Sequence, residues 1–177
     1  MKPQMSSAQR LAAKKKQILD SWFQATVDSY PADTARFLKS QTDPFANPVG
    51  QTTLKSLSAL VDILVADAGR DVMAKALDPI IRIRAVQSFT PSNATAFVFA
   101  LKPIVRQHLT EDGRDAELER IVLDRRIDNM ALTAFDLFMA CREKIYELKA
   151  TESRKQFFGS LKRAGLIDET AAEGPGL

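Results

Sequence analysis

The chain has one cysteine, one histidine and one tryptophan in 177 residues, and only seven glycines. A single thiol excludes an internal disulfide and any CxxC metal or redox pair. Cys141 lies midway along an apolar helical stretch, where it reads as a small hydrophobe and where a thiolate is disfavoured. A Cys141–His108 nucleophile–base pair is therefore not expected. No GxxxxGK[ST], GxGxxG, HExxH or EF-hand pattern occurs. The carboxylate pairs Glu117–Glu119 and Glu111–Asp112 sit in charged, solvated contexts that suit no acid–base couple. No apolar run reaches the ~18 residues expected of a membrane span, and the N-terminus lacks a signal-peptide core. These absences lead to a cytoplasmic protein that is not an enzyme and needs no cofactor or metal.

What is present is ordinary in amount. Hydrophobic residues make up 45% and charged residues 27%, enough for a packed core and against general disorder. The excess of 25 basic over 22 acidic residues gives +3, too even for a nucleic-acid binder. The one dense run, Lys14-Lys15-Lys16, would fan around a helix and be solvated.

Along the chain, apolar residues recur at helical spacing. The first helix starts at Ser6 with Gln9 completing a capping box, carries Leu11, Ile18, Trp22 and Ala25, and stops before Pro31. A second covers about Ala32 to Ser40. Asp43 to Gly50, with two prolines, is read as a loop pinned to the core by Phe45 and Val49. A helix from about Thr52 to Ala68 carries Leu54, Leu57, Val61 and Leu64. Asp71 to Ser88 is divided by Pro79, and Ile81-Arg82-Ile83-Arg84 also fits the two-residue period of a strand. Thr90 to Asn93 suits a hairpin turn or a helix start capped by Thr90; the long stripe Phe97, Leu101, Ile104, His108 favours the helix, with Pro103 removing the donor to the Phe99 carbonyl. After a turn at Thr110–Gly113, a helix runs from about Asp115 to Lys149, with Arg120 placed to pair with Asp124.

The resulting fold class is all-α: one bundle of about six helices over residues 1–150 with a long C-terminal helix. A basic amphipathic tail helix, 151–167, and a disordered tail, 168–177, follow. Ile127, Met130, Ala134, Leu137, Cys141, Ile145 and Leu148 form a heptad-like seam, the candidate interface of a homodimer. The tail carries Phe157, Phe158, Leu161 and Leu166 among Arg154, Lys155, Lys162 and Arg163, and folding back is preferred over membrane contact.

A helical bundle also raises the question of haem. In a globin order the proximal ligand would come from Asp71–Ser88, which holds no histidine, cysteine or tyrosine, and whose Met73 is in the first turn. His108 instead ends a helix, where a cation suits the dipole. Arg82 can pair with Asp78 one turn back. Arg84, beside Ile80, Ile81 and Phe89, would be buried and must find an acceptor. It either caps carbonyls or anchors a carboxylate or phosphate ligand, with Gln87 one turn along.

The block Pro44-Phe-Ala-Asn-Pro-Val-Gly50, followed by Leu77-Asp-Pro-Ile-Ile-Arg-Ile-Arg-Ala-Val-Gln-Ser-Phe-Thr-Pro-Ser92 and then Phe97 to Lys102, resembles the RsbRD-type N-terminal domain. That is the helical sensory domain of RsbT co-antagonist proteins in bacterial stress signalling, and the similarity spans about Ile18 to Leu148. It implies an all-α, dimeric domain that receives signals or binds proteins; related RsbR sensory domains are similar to globins without haem. Asn47, Arg82, Arg84, Gln87 and Ser92 fall in the two blocks and form the candidate ligand or interaction motif. In the co-antagonists a STAS domain follows, whereas this chain ends about thirty residues after its last long helix. A stand-alone sensor or adaptor with a separate signalling partner is expected. The alternatives are a sensor of a small ligand, haem or gas, and an accessory protein of a membrane redox complex.

Overall fold

A computed structural model describes residues 6–108 and 114–166. The expected turn at Thr110–Gly113, with Glu111 and Asp112, and the tail from Asp168 to Leu177 lie outside the described residues. Those described form eight helices and no strand. The fold is an all-α bundle.

Helix α1 (Ser7–Ala13) opens with the expected capping box between Ser6 and Gln9. It is separated at Lys14 from α2 (Lys15–Val27), so one expected helix is two. Helix α3 (Ala32–Ser40) has the bounds read from the sequence. Helix α4 (Pro48–Ala66) begins earlier than expected, because Asn47 caps it and Pro48 fits its first turn. Its C-cap is Asp67, held at φ 52.

Helix α5 (Arg70–Val86) runs through Pro79 without a break. A proline inside a helix costs about 3 kcal/mol. Burial of Leu77, Ile80, Ile81 and Ala85 on one face outweighs that, since each large aliphatic side chain contributes roughly 2 kcal/mol. The strand-like alternation at Ile81–Arg84 is therefore helix. Thr90 caps α6 (Pro91–Phe99) through Asn93, and α7 (Leu101–His108) resumes after Ala100. The interruption falls where Pro103 offers no donor to Phe99.

Helix α8 (Arg114–Arg163) is longer than expected. No proline interrupts it, and its first glycine is Gly159, so nothing stops it at Lys149. It ends at Gly165, φ 68, where Leu166 N donates to the Leu161 carbonyl at 3.0 Å. The tail helix read from residue 151 is thus the end of α8. The chain divides into two compact units at 140/141, Met1–Ala140 and Cys141–Leu177.

In the first unit, Trp22, Leu57, Leu60, Leu77, Ile80, Ile81, Leu101, Ile127 and Phe138 are shut from solvent. The N-terminal part of α8 is tied to its neighbours by Arg10–Glu119 at 2.8 Å, Lys102–Asp128 at 2.7 Å, Arg106–Asp124 and Arg70–Asp136. Asp124 thus pairs across helices, and Arg120 lies 3.2 Å from Glu117 instead. Phe45 is 96% exposed, so it does not pin its loop; Asn47 does. Helix α4 is long and apolar enough to cross a membrane by length and composition, yet Leu57, Leu60, Val61 and Leu64 on it are core residues. In the second unit every described residue is at least partly exposed, and the Phe157 and Phe158 rings meet edge to face at 6.3 Å.

Candidate functional site

Where α2 ends, α5 ends and α6 begins, the structure buries Arg84 completely. Its Nη2 donates to the Thr26 carbonyl at 3.0 Å and to Ser29 Oγ at 2.9 Å. Its Nη1 donates to the carbonyls of Asn93 at 3.2 Å and Ala94 at 3.5 Å. Three rings surround the guanidinium: Cζ is 5.3 Å from the Tyr30 centroid, 4.8 Å from Phe89 and 4.9 Å from Phe97. Among the described residues no carboxylate pairs with it, and Nε has no acceptor.

The sequence explains why this is tolerable. Pro31 stops α2, and Val27 is the last helical residue, so the Thr26 carbonyl sits in the final turn, where Ser29 Oγ donates to it at 2.7 Å and a lone pair is left for Arg84. The C-terminal end of a helix carries roughly half a negative charge, which offsets part of the guanidinium's. Aromatic faces add quadrupolar attraction. Burial nevertheless pulls the Arg84 pKa below its ordinary value, opposed by Tyr30, and raises that of Tyr30, opposed by Arg84. A guanidinium stays charged at any ordinary pH. The result is a buried cation met only by neutral partners.

Next to this cluster lies a cleft of about 400 Å³, which Arg84 itself does not line. Ser29, Tyr30, Phe89 and Asn93, all partners of Arg84, line it, together with Thr34 and Gln87. The Gln87 Oε1 is buried and receives no hydrogen bond. A second cleft, about 360 Å³, lies between α4, α5 and α8, but its arginines are engaged: Arg126 with Asp67 and the Leu64 carbonyl, Arg70 with Asp136.

The five residues of the candidate motif do not converge. Arg84 and Gln87 share the site. Asn47 is buried elsewhere: its Nδ2 donates to the carbonyls of Leu38 at 3.0 Å and Gln41 at 2.9 Å, and its Oδ1 accepts from Gly50 N at 2.8 Å. It stitches α3 to α4. Arg82 points outward and pairs with Asp78 at 2.6 Å. Ser92 Oγ lies on the surface, 3.2 Å from Thr90 Oγ. His108 ends α7, half-buried.

The candidate seam also divides. Ile127, Met130 and Ala134 are buried in the chain's own core, leaving them no face for a partner. Leu137, Cys141 and Ile145 are half-buried, and Leu148 is exposed. The exposed apolar side chains of α8 in the first unit are instead Leu118, Ile121, Val122, Leu132 and Phe135. Sequence reasoning did not find Thr26, Ser29, Tyr30 or Asn93. The available signal was the Ser29-Tyr30-Pro31 helix stop, which ends the helical ladder and opens its last carbonyls to a side-chain donor.

The family described as the RsbT co-antagonist protein rsbRD N-terminal domain matches residues 16–153. This chain belongs to that family. The matched span of the rsbRD N-terminal domain contains the whole Arg84 cluster and both sequence blocks. An uncharacterized protein of Archaeoglobus fulgidus is 32% identical over 81 residues, 45% of this chain and 51% of that protein. The chain thus spans about half the length of that relative. No solved structure matches it significantly.

Proposed function

We propose that this rsbRD N-terminal domain is a cytoplasmic, non-enzymatic signalling module that senses an input and transmits it by protein contact. Family membership over residues 16–153 is the observation that carries this reading. It supports a stressosome-like context, with a signalling protein as partner. The exposed Leu118, Ile121, Leu132 and Phe135 on α8 offer an apolar surface for self-association, replacing the face first expected. A homodimer through these residues fits the reading.

The test is affinity capture from the native host with the full chain as bait, beside a Leu132→Glu/Phe135→Glu variant. Recovery of a kinase or STAS-type protein by the wild type supports the function. Light scattering at micromolar concentration should give a dimer that the variant loses. A monomer, together with no signalling protein recovered, contradicts it. The cleft next to the Arg84 cluster supports a second element, a small ligand as the input.

A further inference from the structure

Within the second unit, α8 changes character part-way along. From Cys141 to Glu152 its charge is balanced, Arg142, Lys144 and Lys149 against Glu143, Glu147 and Glu152, and Lys144 pairs with Glu147 at 3.1 Å. From Ser153 to Leu166 no acidic residue occurs, while Arg154, Lys155, Lys162 and Arg163 do; Asp168 and Glu169 come only after the left-handed stop at Gly165. The same basic segment carries Phe157, 62% exposed, and Phe158, 52% exposed. The family match ends at residue 153, so the matched domain accounts for neither the charge nor the rings.

Helical spacing puts Phe157, Phe158 and Leu161 within about 100° of one another around the axis. Arg154 lies one turn back on that side, Lys155 and Lys162 border it next to Phe158, and Arg163 is opposite. Long basic side chains can lay their stems along such a strip and keep their charges at its edge. Three features select the occupant. A helix docked in a protein groove needs anchors over two or more turns, but this strip is followed by Ala164 and Gly165 and preceded by Arg154. A single-stranded nucleic acid stacks on open ring faces, whereas these two rings meet edge to face at 6.3 Å. A bilayer surface takes both halves of the segment, the rings at the acyl boundary and the cations among anionic headgroups.

We propose that residues 153–166 are a surface anchor that lies flat on a bilayer containing anionic lipid. Phe157, Phe158 and Leu161 enter the headgroup layer, and Arg154, Lys155 and Lys162 meet the lipid phosphates. The segment is too short and too charged to cross the bilayer. This assignment is independent of the signalling reading, and each can fail without the other.

The test is flotation of the full chain with vesicles of phosphatidylcholine alone and with vesicles in which about one lipid in three is phosphatidylglycerol. The anionic vesicles should bind at least about tenfold more tightly, since each basic residue near the surface is worth about fivefold. Phe157→Ser/Phe158→Ser should weaken that binding about tenfold or more with the charge intact. Arg154→Gln/Lys155→Gln should remove most of the preference for anionic lipid. All four side chains are exposed, so the emission of buried Trp22 should report an unchanged fold in both variants. In Phe157→Trp the new indole should shift to the blue on anionic vesicles, above the constant signal of Trp22. No flotation, binding indifferent to loss of the rings, or an unshifted indole would each overturn the proposal. So would tighter binding to a single-stranded oligonucleotide than to vesicles, or capture of a protein that the serine variant loses while the wild type does not float.

Discussion

Replacing Arg84 separates charge from shape. Arg84→Met keeps a long flexible side chain against Tyr30, Phe89 and Phe97 but deletes four charge-assisted hydrogen bonds. Each such bond contributes about 1.5–3 kcal/mol net. Against that, methionine recovers the guanidinium's desolvation, several kcal/mol, and leaves no carboxylate stranded. The two effects offset, for a net loss of about 2 kcal/mol. Arg84→Lys keeps the desolvation cost and worsens it, since an ammonium is more strongly hydrated. It also cannot fork between the Thr26 and Asn93 carbonyls, so about 4 kcal/mol should be lost. The apolar substitution is thus expected to be milder than the charge-conserving one. Urea unfolding followed by Trp22 fluorescence measures both, because this sole tryptophan is fully buried and its Nε1 donates to the Phe97 carbonyl at 2.7 Å. Lysine within 1 kcal/mol of wild type, with methionine clearly worse, would refute the reasoning: the site would then need charge and not a planar fork.

Four further outcomes follow from the geometry. Asn47→Ala should cost about 2–3 kcal/mol in urea unfolding, by loss of a helix cap and of two bonds to the Leu38 and Gln41 carbonyls. A Cβ at Gly50 would fall 2.3 Å from Asn47 Nδ2, so Gly50→Ala should destabilise the wild type by about 2 kcal/mol but stabilise the Asn47→Ala background by about 0.5 kcal/mol, a sign change that a double-mutant cycle reads directly. Phe45→Ser should leave the thermal midpoint unchanged, because the ring is 96% exposed; a drop of several degrees would mean that it packs after all. Burial raises the Tyr30 phenol above its ordinary 10.0, so its contribution to stability is complete below pH 10 and is lost as pH rises through the folded value; Tyr30→Phe should remove that alkaline slope from chemical unfolding, and an absorbance titration should show the lost tyrosinate signal above pH 10.

Local chemistry was legible wherever the deciding atoms lie within a few residues. The Ser6–Gln9 capping box, the bounds of α3, the Thr90 cap and the break near Pro103 all depend on near neighbours. Pro79 misled because its cost is local while the compensation, burial of Leu77, Ile80 and Ile81, comes from other helices. Phe45 misled because hydrophobicity suggests burial, yet a buried amide, Asn47, holds that loop by three hydrogen bonds. In the same way the apolar seam of α8 marked a buried face without saying whose core it enters; Ile127, Met130 and Ala134 turn to their own. At the candidate site, burial of Arg84 and its need for acceptors were readable. Two of those acceptors were not, since Thr26 and Ser29 lie 58 and 55 positions away.

Nitrogen-edited NMR of the arginine side chains of the full chain addresses Arg84 most directly. Four separate acceptors block rotation about its Cζ–Nη bonds, and three rings shield it. Arg84 should therefore give four resolved Nη–H signals, ring-shifted and slow to exchange with water. A single averaged signal, exchanging as fast as that of exposed Arg36, would contradict the buried cation from which the site is built.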